Sequence, residues 1–169
     1  MTAPLAELFD QFHAPLVRML YRRTGDRDRA EEIAQEVFAR AVAAPPRNPR
    51  PWLFAVALNL VREEARTAAR RDRRLVLYRA EQTREASRPD EELDRGERVA
   101  RIRIALDRLS VRDREALLLK AEGFSYDEIA ATLGLARGAV GTTLARARRK
   151  LVEAWRAGNR GEEEQHVAS

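Results

Sequence analysis

The stretch "SYDEIAATLGLARGAVGTTLARARRKL", Ser125 to Leu151, writes two helices and the turn between them. Ser125 with Glu128 three positions on is a capping box: the serine oxygen takes an orphan amide of the first turn while the glutamate reaches back to the serine amide. Ile129 and Leu133 give the short helix an apolar side. Gly134 ends it, because glycine takes a left-handed backbone at little cost. The second helix starts near Ala136. Val140, Leu144, Ala147 and Leu151 share one of its faces at about 100° per residue and should bury against Ile129 and Leu133. The opposite face carries Gly138, Thr142, Ala145 and Arg149, flanked by Gly141 and Arg146, with Arg137 at the helix start. Two helices joined by a short glycine-containing turn make a helix-turn-helix. In that motif the N-terminal residues of the second helix meet base edges in the DNA major groove. Small residues let such a helix approach closely, Thr and Ala suit thymine methyls, and Arg146 and Arg149 can hold phosphates. Arg137 and Thr142, near the helix start, should carry sequence preference. An ordinary helical hairpin with a solvated arginine face has the same local pattern.

The rest of the 169-residue chain reads as more of the same architecture. Leu5, Leu8, Phe9, Phe12, Leu16, Leu20 and Tyr21 recur at helical spacing from Leu5 to about Arg23, with Pro15 expected to kink or split the helix. Asp28 with Glu31 three residues on reads as the next helix start. That helix should bury Ala30, Ile33, Ala34, Val37, Phe38 and Ala41, and the prolines of "AAPPRNPRP" end it. A third helix begins near Pro51 and reads "WLFAVALNLVREEARTAARR". From about Arg73 to Arg95 the pattern loosens into a polar linker that turns from basic to acidic. Val99, Ile102, Leu106 and Leu109 then resume helical spacing. Ser110 caps a helix that Gly123 stops. The expected fold is all-α: two small helical domains, residues 1–73 and 96–157, joined by a flexible linker at 74–95, with a disordered tail at 158–169.

Composition bounds the function. Thirty-two basic residues outnumber 27 acidic ones, and only Lys120 and Lys150 are lysines. An arginine-dominated balance suits phosphates and base edges, because guanidinium is a planar fork of donors; a GC-rich coding sequence also writes arginine often. The chain has no cysteine and two histidines, His13 and His166, without a ligand-spaced partner, so neither a metal site nor a cofactor is expected. No apolar run approaches a membrane span and the N-terminus does not read as a secretory signal, so a cytoplasmic protein without membrane insertion is expected. No nucleophile–base pair suggests an enzyme.

A second constellation lies on the third helix. Trp52, Asn59, Arg66 and Arg70 are spaced by seven, seven and four, which lines them along one face; Arg62 belongs to the same basic stretch. Aromatic faces stack bases, an amide reads a base edge and guanidinium holds phosphate, so the row suits an unstacked strand. Equally, Trp52 fits a core position, and the arginines fit a solvated end paired with Glu63.

The strings "AEEIAQEVFARAV", "WLFAVALNLVREEAR" and "LSVRDREALLLKAEGFSYDEIAATLGLARGAVGTTLARARRKL", in this order and spacing, resemble the extracytoplasmic-function (ECF) sigma factors of bacterial RNA polymerase over roughly residues 5–155. The resemblance implies a transcription initiation factor that brings core polymerase to promoters. Glu31, Glu32, Gln35 and Glu36 match the region that grips the β′ clamp helices; the β flap is a further implied contact. Trp52, Asn59, Arg62, Arg66 and Arg70 match the region facing the melted −10 element, with Asn59 as a base reader. Arg137, Gly138, Gly141, Thr142, Ala145, Arg146 and Arg149 match the −35 reader. The linker's acidic run, Asp90, Glu91, Glu92 and Asp94, would thread toward the RNA exit path. An anti-sigma partner is implied, without residues that identify it. Two departures stand out: the loop "AAPPRNPR" is short, so the family's flipped-base pocket is not carried over, and Gly141 and Thr143 stand where many members have Lys or Arg. The competing readings are a helix-turn-helix regulator acting on duplex DNA without polymerase, and an adaptor that binds an anti-sigma factor and has no role on DNA.

Overall fold

The computed structural model describes residues 4–75 and 90–167, with side chains placed for 4–73 and 95–160. Seven helices make up the described residues: α1 Leu5–Thr24, α2 Arg27–Ala43, α3 Pro49–Leu75, α4 Asp90–Asp107, α5 Val111–Ala121, α6 Tyr126–Leu133 and α7 Arg137–Val167. No helix among the described residues is long and apolar enough to cross a membrane.

In the first unit, α1 lies along α2, and α3 packs on both. The face of α1 made by Leu8, Phe12, Leu16, Met19 and Leu20 is buried. Pro15 does not break α1, contrary to expectation, and the helix is continuous through it. Proline forfeits one backbone hydrogen bond; buried Leu8 and Phe12 before it and Leu16, Met19 and Leu20 after it hold the remaining turns in place. Gly25 closes α1 at φ 71°, donating its amide to Tyr21 O at 2.8 Å. The cap of α2 is Asp26, which accepts from the Arg29 amide, and not Asp28. Asp28 sits in the first turn, where a carboxylate still favours the positive end of the helix dipole.

In the second unit, α4 and α5 both pack on α7, and α6 joins α5 to α7. Ser110 caps α5, Ser125 and Glu128 form the complete capping box of α6, and Gly134 ends α6 at φ 63°. The expected linker and tail are corrected at their edges. Helix α3 runs to Leu75 and α4 opens at Asp90, so only 76–89 of the linker lies outside the described residues, together with the side chains of Asp90, Glu91, Glu92 and Asp94. Helix α7 continues to Val167 through what was expected to be a disordered tail; its "EEEQ" run consists of good helix formers.

The two units are docked. Phe124, from the turn between α5 and α6, is fully buried against the equally buried Phe54 of α3, ring centroids 4.7 Å apart and edge-on. The buried apolar residues of both units form one continuous cluster that includes this pair. Burying a phenylalanine stabilises by roughly 1.5–3 kcal/mol, so this ring is one apolar anchor of the junction, beside the contacts of α1 with α4 and α5 and of α3 with α6.

Candidate nucleic-acid and polymerase interfaces

On α3, residues Leu53, Phe54, Ala57, Leu58 and Val61 are buried, and Asn59 stands exposed on the other side. Its amide is therefore not a satisfied core group. It accepts a hydrogen bond from Arg62 Nη1 at 3.1 Å. Arg66 and Arg70 are exposed on the same helix. Trp52 departs from this pattern: it is partly buried and packs on the core, which anchors the start of α3. Arg62 departs too. Its guanidinium grips the carboxylate of Glu115 on α5, whose side chain is 3% exposed. The pairing with Glu115 raises the Arg62 pKa against the opposing effect of burial. The −10 candidates thus form an exposed stripe from Asn59 to Arg70, capped at one end by a contact with the other unit.

On α7, Val140, Leu144 and Ala147 are fully buried, while Gly138, Thr142, Ala145 and Arg149 are exposed and Gly141 is half-buried. Gly138 has open space where a Cβ would sit, so its smallness is not demanded by packing within the chain. Arg137 pairs with Asp127 on α6. Arg146 is tied down from its Nε, 3.1 Å from Asp113 Oδ1. Asp113 is buried on α5, and its carboxyl is held below the usual carboxylate range, first by the Arg146 hydrogen bond, against burial, with Ser110 and Lys150 adding to it. Arg146 therefore fastens α7 to α5.

On α2, Glu32, Gln35 and Glu36 are exposed and Glu31 is half-buried. Glu31 lies 3.1 Å from His13 Nε2, and that imidazole stacks on Phe9, an exposed aromatic ring. Glu36 accepts from Arg40 at 2.8 Å, and Glu32 pairs with Arg29. Gln35 is left as the open amide in the middle of the row.

Sequence reasoning missed the junction itself. Glu122, buried at the end of α5, receives Arg18 and Arg22 from α1, the shortest contact being 2.6 Å from Arg18 Nη2. Arg50 of α3 donates 2.8 Å to the Glu122 carbonyl, 3.0 Å to the Glu128 carboxylate, and lies 4.2 Å over the Phe124 ring. One signal was legible. Glu115, Leu118, Leu119 and Glu122 fall at i, i+3, i+4 and i+7, so two carboxylates stand in register with the apolar face of α5.

Residues 8–71 match the Sigma-70 region 2 family and residues 100–151 match Sigma-70, region 4. The ECF RNA polymerase sigma factor SigL of Mycobacterium tuberculosis is 35% identical over 160 residues, covering 84% of this chain and 83% of that one. The ECF RNA polymerase sigma factor EcfG of Rhodopseudomonas palustris is 35% identical over 134 residues, 76% and 72% of the two chains. Among solved structures, the sigma factor RpoE in complex with the anti-sigma factor NepR from Bartonella quintana matches with a TM-score of 0.66 at 25% identity, covering 89% of this chain and 96% of that one. CnrH in complex with the cytosolic domain of CnrY matches with the same TM-score at 26% identity, over 90% and 88% of the two chains. With both family matches in place and relatives of this identity and coverage, the chain belongs to the ECF sigma factors, the specificity subunits that direct bacterial RNA polymerase to promoters.

Proposed function

We propose that the first unit takes core polymerase on the α2 row Glu31, Glu32, Gln35 and Glu36, against the β′ clamp helices, and captures the melted −10 strand along Asn59, Arg62, Arg66 and Arg70. Trp52 sets the start of α3 and so the position of that stripe. The second unit, in contact with the β flap, reads the −35 duplex with Arg137, Gly138, Gly141, Thr142, Ala145 and Arg149, while Arg146 braces the reading helix. The chain supplies specificity, and the polymerase performs the chemistry. The observation that carries the reading is the exposure of Asn59 on a helix whose opposite side at that level, Phe54, Ala57, Leu58 and Val61, is buried. An amide offers two donors and an acceptor to a base edge, and holding an unpaired base draws the promoter toward its open form. In the docked arrangement Arg62 is occupied by Glu115, so strand capture requires the units to part. The NepR complex of a relative supports an anti-sigma partner for this chain as well. Run-off transcription with core polymerase tests the whole reading: the chain should produce a promoter-specific transcript. Promoter binding that needs no polymerase and yields no transcript would make it a duplex-DNA regulator instead.

A further inference from the structure

A cleft of about 550 Å³ lies between the units, and its charges do not balance. Arg23 of α1, Arg62 and Arg66 of α3, and Arg112 and Arg114 of α5 line it against one carboxylate, Glu115. That carboxylate is taken by Arg62. Asp107 serves two of the others, at 3.4 Å from Arg23 and 3.1 Å from Arg114. Arg66 and Arg112 have no ion pair with a described residue. Arg114 is 8% exposed, and its Nε is buried without a hydrogen-bond partner. Burial first, and then the neighbouring Arg114, lower the Arg23 pKa. Buried donors without acceptors are rare and costly, and like charges gathered in one cleft concentrate a field that attracts anions.

We propose that this cleft binds one small polyphosphate anion, which bridges the two units and holds them docked. Guanidinium forks match phosphate oxygens two at a time, and charges arriving from three helices suit a ligand with several phosphates better than a single carboxylate. The volume falls within the range of small-molecule sites, roughly 300–1,000 Å³, which fits a nucleoside triphosphate or a short inorganic polyphosphate. A ligand that touches α1, α3 and α5 together is bound fully only in the docked state, so it shifts the population toward that state. Arg62 would then be released from Glu115 less often for a promoter strand.

Titration calorimetry on the full chain at 150 mM salt, with sodium tripolyphosphate, ATP and AMP as probes, tests the site. Tripolyphosphate should bind at one per chain. Arg112→Gln should weaken it at least tenfold, whereas Arg47→Gln, an equal loss of charge on an exposed loop residue outside the cleft, should change it less than twofold. ATP and tripolyphosphate binding alike with AMP failing assigns the affinity to the phosphate chain, and a preference for ATP adds a base contact. A pair of dyes on Ala39→Cys and Val152→Cys, in a chain otherwise free of cysteine, should report a narrower distance distribution when tripolyphosphate is bound. Equal weakening by Arg112→Gln and Arg47→Gln would reduce the effect to diffuse charge attraction and overturn the proposal. So would the absence of binding by every small probe, or Arg112-dependent binding of a single-stranded oligonucleotide alone.

Discussion

The interior of the first unit and the junction between the units are built on different physics. Leu16, Met19, Leu20, Val37, Leu53 and Leu58 are essentially inaccessible, and no buried charged residue lies among the described residues of that unit. At the junction one aromatic pair sits inside a ring of ion pairs: Arg18 and Arg22 with Glu122, Arg50 with Glu128, Arg62 with Glu115, and Arg23 with Asp107. Apolar burial is nearly indifferent to salt, and undoing it exposes surface that water does not welcome. Charge pairs differ, because hydration awaits both partners on separation and offsets most of their mutual attraction. The interior is therefore built to stay closed, and the junction to come apart at modest cost. The proposed function, in which the two units act on separate promoter elements, draws on this difference.

The strongest way to break the comparison is to truncate a buried side chain on each side of it. Leu16→Ala and Phe124→Ala should each cost about 2–5 kcal/mol in denaturant unfolding. Only Phe124→Ala should also enlarge the hydrodynamic radius of the folded chain, because it removes the ring on which the units meet. If Phe124→Ala lowered stability and left the radius unchanged, the junction would be as permanent as the interior.

Next in size is Glu122→Gln, which strips the charge from the carboxylate that two arginines share. Breaking a fully buried pair costs about 3–5 kcal/mol, and exposed pairs are worth about 0–1 kcal/mol. Arg18 is 52% exposed while Glu122 is buried, so a loss of about 1–2 kcal/mol is expected between those limits. The radius should rise with added salt at lower salt concentrations than in the wild type. An unchanged salt response would show that the ion pairs contribute nothing to docking.

Acid sharpens the contrast further. Burial pushes the Glu128 carboxyl up, but the Ser125 amide and Arg50 outweigh it and leave the pKa lowered; Asp113 is lowered chiefly by Arg146. For a carboxylate whose pKa falls on folding, the stabilisation is fully present above its unfolded value, about 4, and is lost as pH drops through the folded value. Thermal midpoints should thus be level above about pH 5 with respect to these two groups and fall below about pH 4. Asp113→Asn should flatten part of that acid limb while lowering stability at neutral pH. An acid limb identical in the variant would remove Asp113 from the account.

What the sequence disclosed and what it concealed divide along the same line. The caps at Ser110 and Ser125, the stop at Gly134 and the buried row Val140, Leu144 and Ala147 depend on residues within a turn or two of each other, and all were legible. Local pattern failed at Pro15, where tertiary packing overrides a helix breaker, and at Asp26, one of two aspartates that compete for the cap. The junction depends on pairs 53 to 104 residues apart. No periodicity reports such a pairing, and an arginine reads the same whether it awaits DNA or a glutamate. Arg62 and Arg146 were both counted among free cationic side chains, and each is engaged by a carboxylate of α5.

The smallest effect on stability should come from Asn59→Ala, and it sharpens the comparison by lying on neither side of it. Asn59 is exposed, and its side chain accepts a hydrogen bond from Arg62 at 3.1 Å. Exposed substitutions of this kind usually stay within about 0.5 kcal/mol, and alanine is the better helix former at a mid-helix position. The thermal midpoint should therefore be nearly unchanged, as should binding to core polymerase, which is assigned to α2. Strand opening at a duplex promoter should fall, because the amide can hold a base only after that base leaves the stack. The defect should shrink on a template already mismatched across the −10 element, where opening has been supplied in advance. Permanganate footprinting on the two templates, beside melting curves of the two proteins, gives the answer. A marked drop in stability with normal opening would place Asn59 in the structural framework and remove it from strand capture. An equal opening defect on both templates would mean that it acts after melting, on the placement of the open strand.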